Sequence, residues 1–376
     1  MTASATAFGP GAIAVTVVVA SADGGRVEAV RVASTRPVGF SSALFLNRPA
    51  DEIPGLVGRL HSLCGLSHAT ASAAAIAAAR GLDTEAVAAN RFDGLLAERL
   101  GEHLRSTFLG PAGASGDEVQ REALADLRAV LAATRELVAA ADAPIEQARR
   151  RAAIDGIRRG TERLGLALDG HGRPWWPTAS WAGSVLQRAE ADGGSPAIAL
   201  DPLSRGDDAA VIAALAADPT GFAAIPHLGT RRPETGPFAR ATGSDPAGER
   251  ARIAARLAEI ARAAATLEAI PEARRRELAD WVSAGSLGER TGYAAVESPR
   301  GRLHHLVRLD AAGRVAAYAV LAPTEWNFGP DGPFVATVGA DRVTADAAGR
   351  ARVERIAAAF DPCVGFAVTV EDRDRA

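Results

Sequence analysis

No lysine occurs anywhere in the 376 residues, so all 42 basic side chains are arginine. A guanidinium stays protonated at working pH, which excludes Schiff-base chemistry and any lysine nucleophile. Cysteine is almost as scarce: Cys64 and Cys363 stand alone, about 300 residues apart. Two thiols cannot build a disulfide framework, and they suit a reducing compartment, so a cytoplasmic location is expected. Charge of one sign is also missing. Against 45 acidic residues the net charge is -3 and the pI about 6.2, which gives neither nucleic acid nor an anionic membrane a reason to bind. The apolar run Ile13 to Ala20 is too short to cross a bilayer, and Met1 to Gly11 lacks the basic and apolar regions of a signal peptide.

What is present is enough apolar residue, 48%, with 23% charged, to bury a large core. Ile13 to Ala20 and Val27 to Ala33 are valine-rich and flank Ala22-Asp23-Gly24-Gly25, which predicts a β-hairpin with glycine at the φ > 0 positions. From Ala50 the period turns helical through Ile53, Leu56, Val57, Leu60 and Leu63. Thr70 to Arg80 is nearly all small residues and predicts a helix packed closely at the centre of the core. Further helices are predicted over Glu118 to Ala141, Pro144 to Leu164, Asp208 to Ala216, Pro246 to Leu267 and Pro271 to Trp281. Asp169 to Pro177 and Pro226 to Gly243 read as irregular. Leu303 to Leu309 and Val315 to Leu321 form a second hairpin around Asp310-Ala311-Ala312-Gly313. A helix over Ala345 to Phe360 then leads to Cys363 and a short strand, Phe366 to Val370. The class is α+β. With no internal repeat or linker, residues 1–376 are expected to form one intertwined domain: 1–49 mainly β, 50–285 mainly helical, 286–376 mixed β with one helix and the C-terminal cysteine segment.

One thiol near each end predicts that the two ends meet and share a site of metal-binding character. Arg59-Leu60-His61-Ser62-Leu63-Cys64-Gly65-Leu66-Ser67-His68 and Asp361-Pro362-Cys363-Val364-Gly365-Phe366 carry it. Together they resemble the large subunits of nickel-iron hydrogenases, which have R-x-C-G-x-C-x-x-x-H near one end and D-P-C-x-x-C-x-x-H at the other. Arg59 falls on the arginine, His61 on the first cysteine, Cys64 on the second and His68 on the histidine. Asp361, Pro362 and Cys363 fall on D-P-C, while Phe366 and Thr369 stand where the last cysteine and histidine would be.

Three more segments extend the resemblance. Glu297-Ser298-Pro299-Arg300-Gly301-Arg302-Leu303-His304-His305 matches E-x-P-R-G-x-L-x-H; Pro323-Thr324-Glu325-Trp326-Asn327 resembles P-T-T-W-N; and Arg231 to Arg240 resembles the E-T-G-P-x-A-R loop. By resemblance Arg300 is the arginine that hydrogen-bonds iron-bound cyanide, a task suited to a planar cation with several donors. Glu297, Pro299, Asp361, Trp326 and Asn327 would line or support the same pocket. Plainer readings stand beside these. Arg300 could be a buried arginine paired with a carboxylate such as Glu297. His68 could be a hydrogen-bonded core histidine as readily as a support for the site. His61, three residues from Cys64 on a helix, could be a ligand or a solvent-facing replacement. The Arg149-Arg150-Arg151 and Arg158-Arg159 clusters read as solvated helix faces, and Trp175, Trp176 and Trp181 as packing.

Two of four metal thiolates are missing, as is the family's E-G-H segment, whose place is taken by residues such as Gly9-Pro10-Gly11. Soft sulfur ligands set nickel's affinity and redox behaviour, so nickel and hydrogen turnover are not expected. The resemblance is therefore to the accessory branch of the family, maturation proteins of the HupK or HoxV type. It implies a non-enzymatic scaffold that holds or passes on an iron centre with cyanide and carbonyl ligands, on Cys64, Cys363 and potentially His61. Its partners would be hydrogenase maturation factors and the hydrogenase large subunit. Three rivals remain: a metal-free mimic of the large subunit that binds maturation factors, a degenerate hydrogenase, and a cysteine hydrolase using Cys64 with His61 or His68. For the hydrolase nothing supplies an orienting third group or an oxyanion hole.

Overall fold

The structure is a computed structural model that describes residues 11–111, 113–143, 145–191, 196, 198–241 and 248–375. Met1 to Pro10, with Gly9, and also Pro144, Gly243 and Pro246 of the sequence reading, lie outside these residues. The chain opens with β1 (Ile13–Ala20) and β2 (Arg26–Ser34), joined by a turn in which Gly24 and Gly25 take φ of 65° and 74°. That left-handed conformation is the one glycine adopts without steric cost. α1 (Phe40–Phe45), α2 (Ile53–Leu60) and α3 (Gly65–Ala79) follow, then α4 (Thr84–Ala89) and α5 (Phe92–Leu109). Two long helices, α6 (Glu118–Ala139) and α7 (Gln147–Arg163), lead to the two-residue strands β3 (Ala167–Leu168) and β4 (Pro174–Trp175) and to α8 (Trp181–Ala191). α9 (Asp208–Ala217), α10 (Gly221–Ala224), α11 (Pro237–Arg240), α12 (Glu249–Glu268) and α13 (Pro271–Trp281) complete the helical middle.

An antiparallel sheet comes next, in the order β5 (Val282–Gly288), β6 (Thr291–Ser298), β7 (Gly301–Leu309), β8 (Val315–Leu321). α14 (Pro323–Asn327), α15 (Pro333–Gly339) and α16 (Ala347–Phe360) precede the last strand, β9 (Phe366–Asp372). β9 does not join its sequence neighbours. It pairs in parallel with β1, Ile13 opposite Phe366 and Val19 opposite Asp372, in a sheet of order β2-β1-β9. A parallel partner for the first strand can only arrive by a long crossover, and here the rest of the fold is that crossover. Cys363 lies three residues before β9, so the pairing fixes it to the N-terminal part of the molecule. Phe366, at the position of the family's missing cysteine, is instead the first residue of this strand and packs on the apolar cluster formed by β1, α15 and α16.

The small-residue helix is central. α3 is buried along nearly its whole length and packs on α2, β6 and β7. A Cβ on Gly292 of β6 would lie 2.2 Å from the Ala75 carbonyl oxygen and 2.4 Å from the Ala79 nitrogen, so only glycine lets sheet and helix approach this closely. The architecture is α+β. Among the described residues no helix is long and apolar enough to cross a membrane.

Several elements differ from the sequence reading. α2 ends at Leu60, so Leu63 is outside it, and His61 and Cys64 flank a break between two helices instead of sharing one. The break follows from packing: a Cβ on Gly65 would lie 2.5 Å from the Gly58 carbonyl oxygen, the contact of a chain that has turned back on itself. α5 and α8 were not expected, although Ala182, Val185, Leu186 and Ala189 of α8 recur at helical spacing and are buried; α5 carries no clean amphipathic period. In α5 Glu98, Arg99 and His103 are buried beside Leu96 and Leu100, and a helix buried on several faces shows no polar side. The β5–β6 hairpin was also not expected. Trp181 is buried, whereas Trp175 is 58% exposed.

Candidate functional site

The helix break places the first thiol. Cys64 is the N-terminal cap residue of α3, 7% exposed, and the first amides of that helix are satisfied by α5: Leu66 N donates to Glu98 Oε1 at 2.6 Å and Ser67 N to Glu98 Oε2 at 2.9 Å. A carboxylate at a helix N-terminus is favoured by the helix dipole. Burial nonetheless outweighs these bonds and the one from Ser67 Oγ, and pushes the Glu98 carboxyl up to about 7.

The second thiol comes from the opposite end. α16 ends on Asp361, a non-glycine residue at φ 52°, and this left-handed turn sends Pro362-Cys363 toward α14. There Thr324 Oγ1 donates to Cys363 Sγ at 3.2 Å and accepts from Cys363 N at 3.3 Å. Burial raises the Cys64 thiol well above its ordinary range, and the nearby charge of Cys363 adds to the effect while Arg300 opposes it. At neutral pH Cys64 is a protonated thiol that must release its proton to bind a metal.

Arg300 joins the two cysteine segments. Its Nη1 points to the carbonyl of Leu63, next to Cys64, at 3.5 Å; its Nε lies 3.5 Å from Asp361 Oδ2, two residues before Cys363; and its Nη2 lies 3.3 Å from Glu102 Oε2 on α5. All three contacts are long, and the Nε is buried without a hydrogen bond. Burial works against the Arg300 charge, but Asp361, Cys64, Glu102 and Cys363 more than compensate. For Asp361 burial is overcome by Arg300 and then Arg256, so its carboxyl is held below the usual range.

Glu297 is not the partner of Arg300. It pairs with Arg240 at 2.8 Å and with Arg302 at 3.0 Å. Arg240, from the E-T-G-P-like loop, also grips Glu259 with two nitrogens at 2.7 Å and reaches the carbonyls of Ser298 and Pro299 at 3.3 and 3.2 Å. These bonds fix the turn that presents Arg300. Two left-handed glycines let loop and turn meet: a Cβ on Gly301 (φ 135°) would lie 2.4 Å from Thr235 Oγ1, and one on Gly236 (φ 126°) 3.2 Å from the Arg300 carbonyl oxygen. Asn327 is spent on Thr235, accepting from its N at 3.0 Å and donating to its O at 2.8 Å. Trp326 packs in the core against Phe222, with ring centroids 6.0 Å apart.

The histidines form a buried row. The His61 and His68 rings stack at 3.6 Å and 9°, His68 Nδ1 lies 3.0 Å from His305 Nε2, and His305 Nδ1 lies 2.7 Å from the Tyr318 hydroxyl. Burial first, then the charge of Arg36, lowers His61 to about 4, so it is neutral at pH 7. His68, held well below its ordinary range by burial, is a hydrogen-bonded core residue that also supports His61.

Sequence reasoning missed three contributors. α5 supplies Glu98 to the Cys64 turn, Arg99 to the Glu297 carbonyl at 2.7 Å and Glu102 to Arg300; the only trace in the sequence is the Glu98, Glu102 spacing of four, which shares a helix face. Arg36, in the loop after β2, pairs with Glu325 of α14 at 2.7 Å, and no motif marks it. Thr324, within a quoted motif, proves to be the residue that holds Cys363. Among the described residues no group of three or more His, Cys, Asp and Glu side chains is arranged to hold a metal ion. What joins the two cysteine segments is Arg300, which reaches both of them.

Comparison with known proteins places these features. Residues 250–369 match the family model for nickel-dependent hydrogenase. The chain is 36% identical over 349 residues to "Hydrogenase expression/formation protein HupK" of Rhizobium leguminosarum bv. viciae, covering 91% of this chain and 93% of the relative. It is 30% identical to "Hydrogenase expression/formation protein HoxV" of Cupriavidus necator, covering 90% and 92%. Among solved structures it resembles an NAD+-reducing [NiFe]-hydrogenase (TM-score 0.61, 18% identity, 91% and 93% covered) and the Ni-Fe-Se hydrogenase of D. vulgaris Hildenborough (TM-score 0.60, 14% identity, 90% and 94% covered). At these identities the two structures speak for the fold alone.

Proposed function

This chain belongs to the nickel-dependent hydrogenase family, in its hydrogenase expression/formation branch, and from that premise we propose that it is a scaffold for an iron centre during hydrogenase assembly. The observation that carries the reading is Arg300, which touches the Cys64 turn and the Cys363 turn at once. Cys64 and Cys363 would bind the cargo, an iron carrying cyanide and carbonyl. Such an iron brings three small ligands of its own, so two thiolates suffice to hold it, and His61, stacked on His68, is not required as a donor. Arg300, whose donors are only loosely engaged, is free to turn toward an anionic ligand. Nickel lacks its thiolates here, because His61 and Phe366 stand in their place. The protein would act without catalysing hydrogen turnover and would meet maturation factors and the hydrogenase large subunit in the cytoplasm.

Infrared spectroscopy of protein purified anaerobically from cells making the maturation machinery tests this. Cyanide and carbonyl stretching bands are expected, with no hydrogen uptake or evolution even when nickel is supplied. A protein free of these bands would replace the scaffold by a metal-free mimic of the large subunit. Stoichiometric nickel with hydrogen turnover would restore the enzyme.

A further inference from the structure

A second guanidinium is tied to the helix that holds Cys363. Arg36 extends from the loop between β2 and α1, and its side chain is only 12% exposed. Its partner Glu325 follows Thr324, the residue that holds the Cys363 sulfur, so the pair is anchored on the same short helix as the second thiol. Glu325 occupies a position that is threonine in the P-T-T-W-N segment this stretch resembles, and arginine and carboxylate are both largely withdrawn from water, a cost that their mutual bond offsets. One nitrogen, Nη1, is used on Glu325; among the described residues Nε and Nη2 make no hydrogen bond. Burial opposes the Arg36 charge, and after Glu325 the groups that favour it most are Cys363 and Cys64.

We propose that Arg36, aimed by Glu325, is a second anion-recognising arginine of this pocket, which together with Arg300 takes the anionic, cyanide-bearing iron. This rests on the scaffold reading and adds to it the charge by which the cargo is selected. Ferrous iron with two cyanides, one carbonyl and two thiolates carries two net negative charges. Two guanidiniums reached from different parts of the chain, each with donors to spare, match that charge and offer planar forks to cyanide nitrogen.

The test compares two alkylating reagents of similar size at Cys363 in the metal-free full-length protein. Iodoacetate is an anion and iodoacetamide is neutral, so the ratio of their rates, followed by mass spectrometry of the Cys363 peptide, reports the local field and cancels thiol ionisation. Arg36→Gln is expected to lower the ratio roughly three- to tenfold. Glu325→Gln is expected to raise it, because the same arginine is then uncompensated. Loss of folding would move both variants together, so opposite signs separate charge from structure. An unchanged ratio in Arg36→Gln, or a shift of the same sign in both, overturns the proposal. In cargo-bearing protein Arg36→Gln should also shift the cyanide bands and lower their intensity per chain; wild-type-like bands overturn it as well. If the ratios behave as expected but wild-type protein never carries cyanide bands, the anion pocket stands and the scaffold reading fails.

Discussion

Cys64→Ser is expected to reduce the iron–cyanide content of the purified protein by at least about tenfold and to abolish its support of hydrogenase maturation, whereas His61→Ala should retain most of both. A hydroxyl is a harder and far less acidic donor than a thiol, and it cannot supply the soft anion that low-spin iron prefers. Cys64 is also the cap residue of α3, and Arg300 reaches the carbonyl of its neighbour Leu63. His61 differs: its ring lies flat on His68, so its removal takes away one stacking partner. The variants are compared in a strain lacking the wild-type protein, at equal variant abundance, because a buried substitution can also act through stability. Full maturation with Cys64→Ser would rule out a thiolate role at that position.

The second large effect concerns stability. Asp208→Asn is expected to lower unfolding free energy at pH 7 by roughly 3–5 kcal/mol, the cost of breaking a buried ion pair from one side. Asp208 receives Arg302 Nε at 2.6 Å, also contacts Arg302 Nη2, and lies 3.0 Å from His304 Nε2, while Arg302 is wholly buried. The amide keeps the size and loses the charge. Burial tends to raise the Asp208 carboxyl, but hydrogen bonds from Arg302 and His304 outweigh it and hold the group far below the usual range. A depressed carboxyl contributes stability that is complete above its unfolded pKa of about 3.9 and is lost as pH falls through the folded value. The gap between wild type and Asp208→Asn, measured by denaturant unfolding, should therefore be constant from pH 7 down to about 5 and close in stronger acid. Equal midpoints at pH 7 would show that the network contributes no net stability.

The meeting of the two chain ends was legible because it is written in motifs at both of them, and the hairpin because two valine-rich runs flank a Gly24-Gly25 turn. α3 was legible for a related reason: a run of alanines and serines has few uses other than close packing. The bracing of the site was hidden by burial of charge. α5 places Glu98, Arg99 and His103 inside, so a rule that expects polar residues on an outer face passes over it. The plainer reading of Arg300, a buried arginine paired with a carboxylate, holds with partners other than Glu297: Glu102 and Asp361 flank it, while Arg240 and Arg302, distant or adjacent in sequence, take Glu297. Arg36 is joined to Glu325 across 289 positions, and neither residue has a spacing that would reveal the other. The break between His61 and Cys64 depends on two glycines meeting in space, Gly58 and Gly65, and helical periodicity alone runs straight through it.

The proposed scaffold requires that one iron be shared by the two ends of the chain. X-ray absorption at the iron edge, on anaerobically purified protein, counts its sulfur neighbours. Two are predicted in the wild type, with one remaining in any residual iron of either Cys64→Ser or Cys363→Ser. An iron whose sulfur count is unchanged by Cys363→Ser would contradict it, because the C-terminal thiol would then take no part in holding the cargo.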